Sequence, residues 1–199
     1  MVLVIIGIAF AFAFQNTSSA INLRQQAVIR KLSETIRFLH HQAVSDQAFY
    51  RLEIDFERNQ YRVGVLRPES SREDRFLELA QDAGALTLEL SSFLNPSPGR
   101  TYTFIPPPSR PSLYEPVPLL EDMQFKQVRN MSGIYVRGQN ETAGISFSPR
   151  GFSEFAVIQM TLLNDAPVTI LVNPFSGLTK VYNEHLDFEW TFSRYEQSS

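Results

Sequence analysis

The sequence predicts an α+β fold: a long N-terminal helix, apolar in its first half and amphipathic in its second, packed on a mainly antiparallel β-sheet body. Three observations predict it. Residues 1–14, MVLVIIGIAFAFAF, carry no charge. Apolar residues then recur at helical spacing to about residue 46, and no Gly or Pro falls between positions 8 and 63. From Phe49 onward the pattern changes to strict alternation and to short aromatic-rich runs cut by turn residues.

The first element is the apolar segment 1–19, lined by Val2, Leu3, Val4, Ile5, Ile6, Gly7, Ile8, Phe10, Phe12 and Phe14. A spanning helix needs about 20 apolar residues, so this run is too short to span a bilayer alone. Runs of this length are signal-peptide cores, buried helices or interfacial segments. No Lys or Arg precedes it, and Gln15–Ala20 offers only a vague cleavage site, which weakens the signal-peptide reading. The expectation is a chain that begins inside a longer hydrophobic helix, with Met1 a late start. Gly7 is tolerable inside such a helix.

The second element spans residues 20–46. Val28, Leu32, Ile36, Leu39 and Ala43 recur at spacings of three and four and form one face, with Ile21 and Ile29 widening it. Arg24, Arg30, Lys31, Glu34 and Arg37 fall mostly elsewhere and can stay solvated. The apolar half wants lipid or other helices; the amphipathic half wants to lie on a sheet.

Strands follow. Tyr50, Leu52, Ile54 and Phe56 share one face of a half-buried strand, and Arg51, Glu53 and Asp55 take the other. Glu57–Gln60 makes a turn, and Tyr61–Leu66 returns as a hairpin. Residues 68–82 are polar with a short helix, and Leu86–Leu90 reads as a strand. Residues 95–118 hold eight of the 12 Pro, which excludes a central strand. They read as an extended surface excursion with an edge strand at Thr101–Ile105; a Pro-rich recognition ligand is the sharper alternative. The last third carries strands at Phe125–Arg129, Ile134–Val136, Ile145–Phe147, Phe155–Leu162, Val168–Val172 and Leu178–Tyr182, separated by Gly, Pro and Asn turns. Their regular spacing argues a mainly antiparallel sheet.

Composition narrows the function classes. A chain of 199 residues fits one domain with an appendage and can bury a real core. Phe at 16 and Tyr at 7 favour a β-rich body. The net charge of −3 does not recommend nucleic acid, and the tail Thr191–Ser199 has no Lys/Arg cluster. Cys is absent, which excludes disulfides, thiolate nucleophiles and Cys-based zinc sites.

Candidate chemistry is sparse. His40 and His41 are adjacent on a helix, so they point about 100° apart and cannot chelate one ion together; both read as helix-surface or boundary residues. His185 lies in Glu184-His185-Leu186-Asp187, a weak ligand pattern that reads better as a solvated turn. Gly151-Phe152-Ser153-Glu154-Phe155 ends in Phe where a nucleophile elbow needs a small residue, so the match fails. Glu53, Asp55 and Glu57 read as the wet face of a sheet. No glycine-rich phosphate loop occurs. Sequons at Asn16, Asn130 and Asn140 matter only in a glycosylating compartment. No catalytic residue, metal site or cofactor is expected.

Four segments carry a resemblance. Val2–Ala9 looks like the apolar core of the type IV pilin and pseudopilin N-terminal helix. Ala27–Tyr50 with the hairpin Ile54-Asp55-Phe56…Tyr61-Arg62-Val63, the Phe147-Ser148-Pro149-Arg150-Gly151 turn, and Val168–Tyr182 around Asn173-Pro174-Phe175-Ser176-Gly177 resemble the H-type minor pseudopilins of type II secretion. The resemblance covers most of the chain except the Pro-rich excursion. It implies a pilin-like fold and a non-enzymatic subunit of a secretion pseudopilus. It further implies a prepilin-peptidase substrate, methylated after cleavage, held by one pass in the bacterial inner membrane with its body in the periplasm. Its partners would be other pseudopilins. The family's basic leader, the Gly before its cut and its Phe-Thr-Leu-Ile-Glu-like opening do not precede Val2, which fits the expectation of a late start. A minor type IV pilin of the DNA-uptake or pilus-assembly kind is the alternative, disfavoured by the acidic balance. A membrane-anchored periplasmic binding module is a further one.

Overall fold

The computed structural model describes residues 2–68 and 102–186; for residues 2–22 it describes the backbone. The helix predicted in residues 68–82, the strand at Leu86–Leu90 and the tail from residue 187 lie outside the described residues.

Helix α1 runs without a break from Val2 to Ser45, 44 residues. That is about 66 Å at the α-helical rise. It stops where Gln47 takes a left-handed φ of 50°, and Ala48 N–H closes the end onto Ala43 C=O at 3.2 Å. The chain then reverses into β1 (Phe49–Asp55) and β2 (Gln60–Pro68), the expected hairpin, an antiparallel pair with Tyr50 opposite Val65 and Leu52 opposite Val63.

Ten strands form two five-stranded sheets among the described residues, where the sequence pattern suggested one. The first has the order β3-β2-β1-β7, with β3 at Tyr102–Ile105 and β7 at Thr142–Phe147; β4, Val117–Pro118, also pairs with β2. The second has the order β10-β9-β8-β5-β6, from Thr179–Tyr182, Pro167–Val172, Ala156–Thr161, Gln124–Asn130 and Gly133–Val136 respectively. Every strand pair is antiparallel. The reason for two sheets is β7. It leaves its neighbours in sequence and pairs with β1, a long-range partnership that local spacing does not encode.

One core joins helix and both sheets. It contains Leu32, Ile36 and Leu39 of α1, Leu52, Ile54 and Ile145 of the first sheet, and Val128, Ile158 and Ile170 of the second. The Pro-rich segment, where described, is docked rather than free. β3 is an edge strand, as expected, and the 3-10 turn Pro111–Tyr114 follows it. Phe104 lies directly over Gly64, where any side chain would strike its ring. Arg62 then stacks on Phe104 and Tyr114, 5.2 and 5.4 Å from the ring centres.

Candidate functional site

The residues singled out from sequence fall on α1 and on the turns around it. Leu32, Ile36, Leu39 and Ala43 are fully buried against the sheets. Val28 is half-buried at the border of the core, and Ile29, on the other flank of the stripe, is buried. The stripe therefore starts one residue later than Val28, because the helix meets the body at a slight rotation from the assumed centre. Its first buried residue is polar: Gln25 donates to Asp122 Oδ2 at 2.6 Å, pinning the helix beside β5. Val2, Leu3, Val4, Ile5, Ile6, Gly7, Ile8, Phe10, Phe12 and Phe14 lie on helical backbone. No helix among the described residues is long and apolar enough to cross a membrane.

The far end of α1 is tied to the body by a polar node. The Asp46 carboxylate accepts from Gln42 Nε2 at 2.9 Å, from the Tyr50 hydroxyl, and from Ser109 Oγ at 2.7 Å. Those bonds, Tyr50's first, hold its carboxyl below the ordinary range. One carboxylate thus joins the helix end, β1 and the Pro-rich segment. Arg110 lies over the Phe38 ring at 5.1 Å and adds a second clasp.

His40 and His41 diverge as the helical phase requires, their rings edge-on at 5.7 Å. His41 is exposed, but His40 is buried, which corrects its reading as a surface or boundary residue. The cause is Gly177. Its φ of +64° suits glycine, and an added Cβ there would lie 2.5 Å from His40 Cβ, so the β9–β10 turn closes onto the helix. Burial, then the neighbouring His41, lowers the His40 pKa. Asn173 Oδ1 accepts from Phe175 N–H at 2.9 Å and from Ser176 N–H at 3.3 Å, which shapes the turn.

His185 is exposed and shares a hollow with Lys126, Arg137, Gln159 and Thr161 rather than with carboxylates. Among the described residues no three His, Asp or Glu side chains are grouped as a metal site. Ser153 is buried and donates to Pro174 C=O at 3.4 Å. The face of β1 expected to be solvated is in fact half-covered: Glu53 and Asp55 side chains are only 17% and 19% exposed, Glu53 accepting from Arg62 Nε at 2.8 Å and Asp55 from Arg58 N–H at 2.9 Å, while Glu57 is exposed. Asn130 is buried, with its amide spent on Gly144 C=O and on the N–H groups of Ser132 and Gly133.

Sequence reasoning missed Glu154. It is 3% exposed, beside sheet edge β7. Its carboxylate accepts from Ser146 N–H at 2.7 Å, and its own N–H donates to Ser146 C=O at 2.9 Å. Burial pushes the carboxyl up, opposed by the Ser146 bonds and by the Arg51 charge. Nothing local in Gly151–Phe155 announces this, because Ser146 becomes a sheet edge only once β7 pairs with β1, far away in sequence.

No family model, curated protein or solved structure matches this chain in the comparisons with known proteins.

Proposed function

We propose that this chain is a structural subunit of a filament, an H-type minor pseudopilin of a type II secretion system, with a pilin-like fold. One observation carries the reading. A single uninterrupted helix joins an apolar first third to an amphipathic part that is buried on a β body from Gln25 to Ala43. The buried contacts of α1 with the body run from Gln25 to Ala43, and in this reading the apolar part serves another apolar environment. In the membrane that environment is lipid; in a filament it is the equivalent helices of neighbours. The exchange is between two apolar surroundings, so packing rather than hydrophobic transfer favours assembly. The inner membrane anchors the subunit, and the body lies in the periplasm. The chemistry fits a non-enzymatic role: the polar groups gathered at Asp46 and Glu154 are satisfied by backbone and side-chain partners that fix the fold.

Shearing filaments from cells that overproduce the secretion pseudopilus tests this reading. The chain is expected in the sheared fraction together with the other pseudopilins. Its retention in the membrane fraction while the filaments shear off would count against it.

A further inference from the structure

The second sheet has two faces, and one of them turns away from the core. Ala156, Ile158 and Met160 of β8 belong to the core, so Val157, Gln159 and Thr161 point outward. The pairing registers extend that parity. Tyr182, Thr169, Gln159, Gln127 and Val136 form one row across the outer face, from edge β10 to edge β6. After β10 the chain turns back along this row. Thr169 Oγ1 donates to Glu184 C=O at 2.6 Å and accepts from Leu186 N–H at 3.2 Å. Gln159 Nε2 then donates to Leu186 C=O at 3.1 Å. These bonds step from β9 to β8, so residues 184–186 run across the strands and over them. Thr169 is fully buried beneath this crossing, although it faces away from the core. Leu186 is half-buried, while its neighbour His185 is exposed. Ahead of Leu186 on the same face lie half-buried Gln127 and Val136, and Ile134, 52% exposed. His185 borders a hollow there with Lys126.

We propose that the outer face of the second sheet is a docking surface for residues 187–192 of the same chain. Their sequence, Asp187-Phe188-Glu189-Trp190-Thr191-Phe192, alternates polar and apolar without a break. Leu186 is the half-buried member of its pair, and a period of two turns Phe188 and Trp190 to the same side. The span fits. From β8, where Leu186 is held, to β6 is two strand spacings, about 10 Å, or about three residues of extended chain. Phe188 and Trp190 therefore arrive at Val136 and Ile134. The charge fits as well. Arg137 borders Glu57 and Glu141, but Lys126 joins no ion pair among the described residues. Asp187 has the parity of His185 and so meets Lys126. A segment of the same chain is the favoured occupant because Leu186 already stands on the sheet and delivers the next residues at high effective concentration. Docking closes this face of the body to other partners, and it is independent of the filament reading.

Trp190 is the chain's single Trp, so Trp fluorescence of the full-length chain in detergent reports on this segment alone. Emission is expected at shorter wavelength than in urea, with acrylamide quenching several-fold weaker. Ile134→Asp and Val136→Asp should each move the emission toward the unfolded value while the circular dichroism of the body is kept. Phe175→Asp, on the exposed β9–β10 turn, should leave it in place. A second measurement does not depend on those variants folding. The chain has no Cys, so Val136→Cys with Phe188→Cys should close a disulfide within one chain when an oxidant is added. Phe175→Cys with Phe188→Cys should not. Emission at the unfolded wavelength overturns the docking, as does short-wavelength emission unmoved by both Asp variants. Strong quenching by a brominated detergent would place Trp190 in the micelle, and reddening on dilution would make a second copy the occupant; either overturns it. Failure of the Val136–Phe188 disulfide to form within one chain overturns it too.

Discussion

Ser146 sits on the outer edge of β7, where no further strand of its own sheet offers its N–H an acceptor, and the Glu154 carboxylate fills that place. Glu154→Ala should leave a buried N–H unpaired and cost about 1–3 kcal/mol, whereas Glu154→Gln keeps the acceptor and most of the stability. Linkage gives the pH dependence. The folded carboxyl has a pKa raised above 4.5 by burial, so the native state binds the proton more tightly than the unfolded chain. This contribution is full below pH 4.5 and is lost as pH rises through the raised value. Urea melts of the wild type and Glu154→Gln from about pH 4 to pH 8 should therefore diverge, with the wild type losing ground as pH rises. Parallel curves would contradict the burial argument. His40 acts in the opposite sense. Its pKa is lowered from 6.5, so its contribution is present above that value and is lost as pH falls through the lowered one. Neither group was legible in the sequence as a buried residue. The Ser146 edge exists only because β7 pairs with distant β1, and the Gly177 turn reaches His40 from the far end of the chain.

At the level of elements, the helix was the most legible part, because its period lies within one segment. Leu32, Ile36, Leu39 and Ala43 are buried as their spacing required, and the α1 end at Ser45 matches the last apolar repeat. Val28 and Ile29 were harder to rank, since both flank the stripe and the body decides its centre. The strands were legible as runs, but their partners were not; β7 beside β1 had to be seen. Leu32→Asp or Leu39→Asp should cost several kcal/mol by placing an unpaired charge in the core, while Arg37→Ala should cost about 0.5 kcal/mol or less. Equal thermal shifts would mean the helical face is misassigned. A second test concerns the docked Pro-rich segment. Gly64→Ala should displace Phe104 and destabilise by about 1–3 kcal/mol. In a Phe104→Ala background the same change should cost clearly less, since the two sites share one contact. Additive losses would show that Phe104 does not sit on Gly64 in solution.

For the whole molecule, the sequence pattern carried the α+β class, and the structure bears out one N-terminal helix with antiparallel sheets. The candidate chemistry dispersed once folded: His40 is buried, while His41 and His185 are exposed. A chain with net charge −3 should bind duplex DNA weakly and without sequence preference, and an anisotropy titration at near-physiological salt reads this out. Submicromolar, salt-sensitive binding would favour the DNA-uptake pilin instead. The most decisive measurement is export of a secreted protein by a strain lacking this gene and complemented with the full gene including its upstream codons. His41→Ala and His185→Ala should restore export. Ile6→Asp should not, because a carboxylate within an apolar segment costs about 2.5–3.5 kcal/mol on insertion scales. Full export by Ile6→Asp, or loss of export with either His substitution in a protein that still folds and accumulates, would contradict a filament subunit that works through its helix.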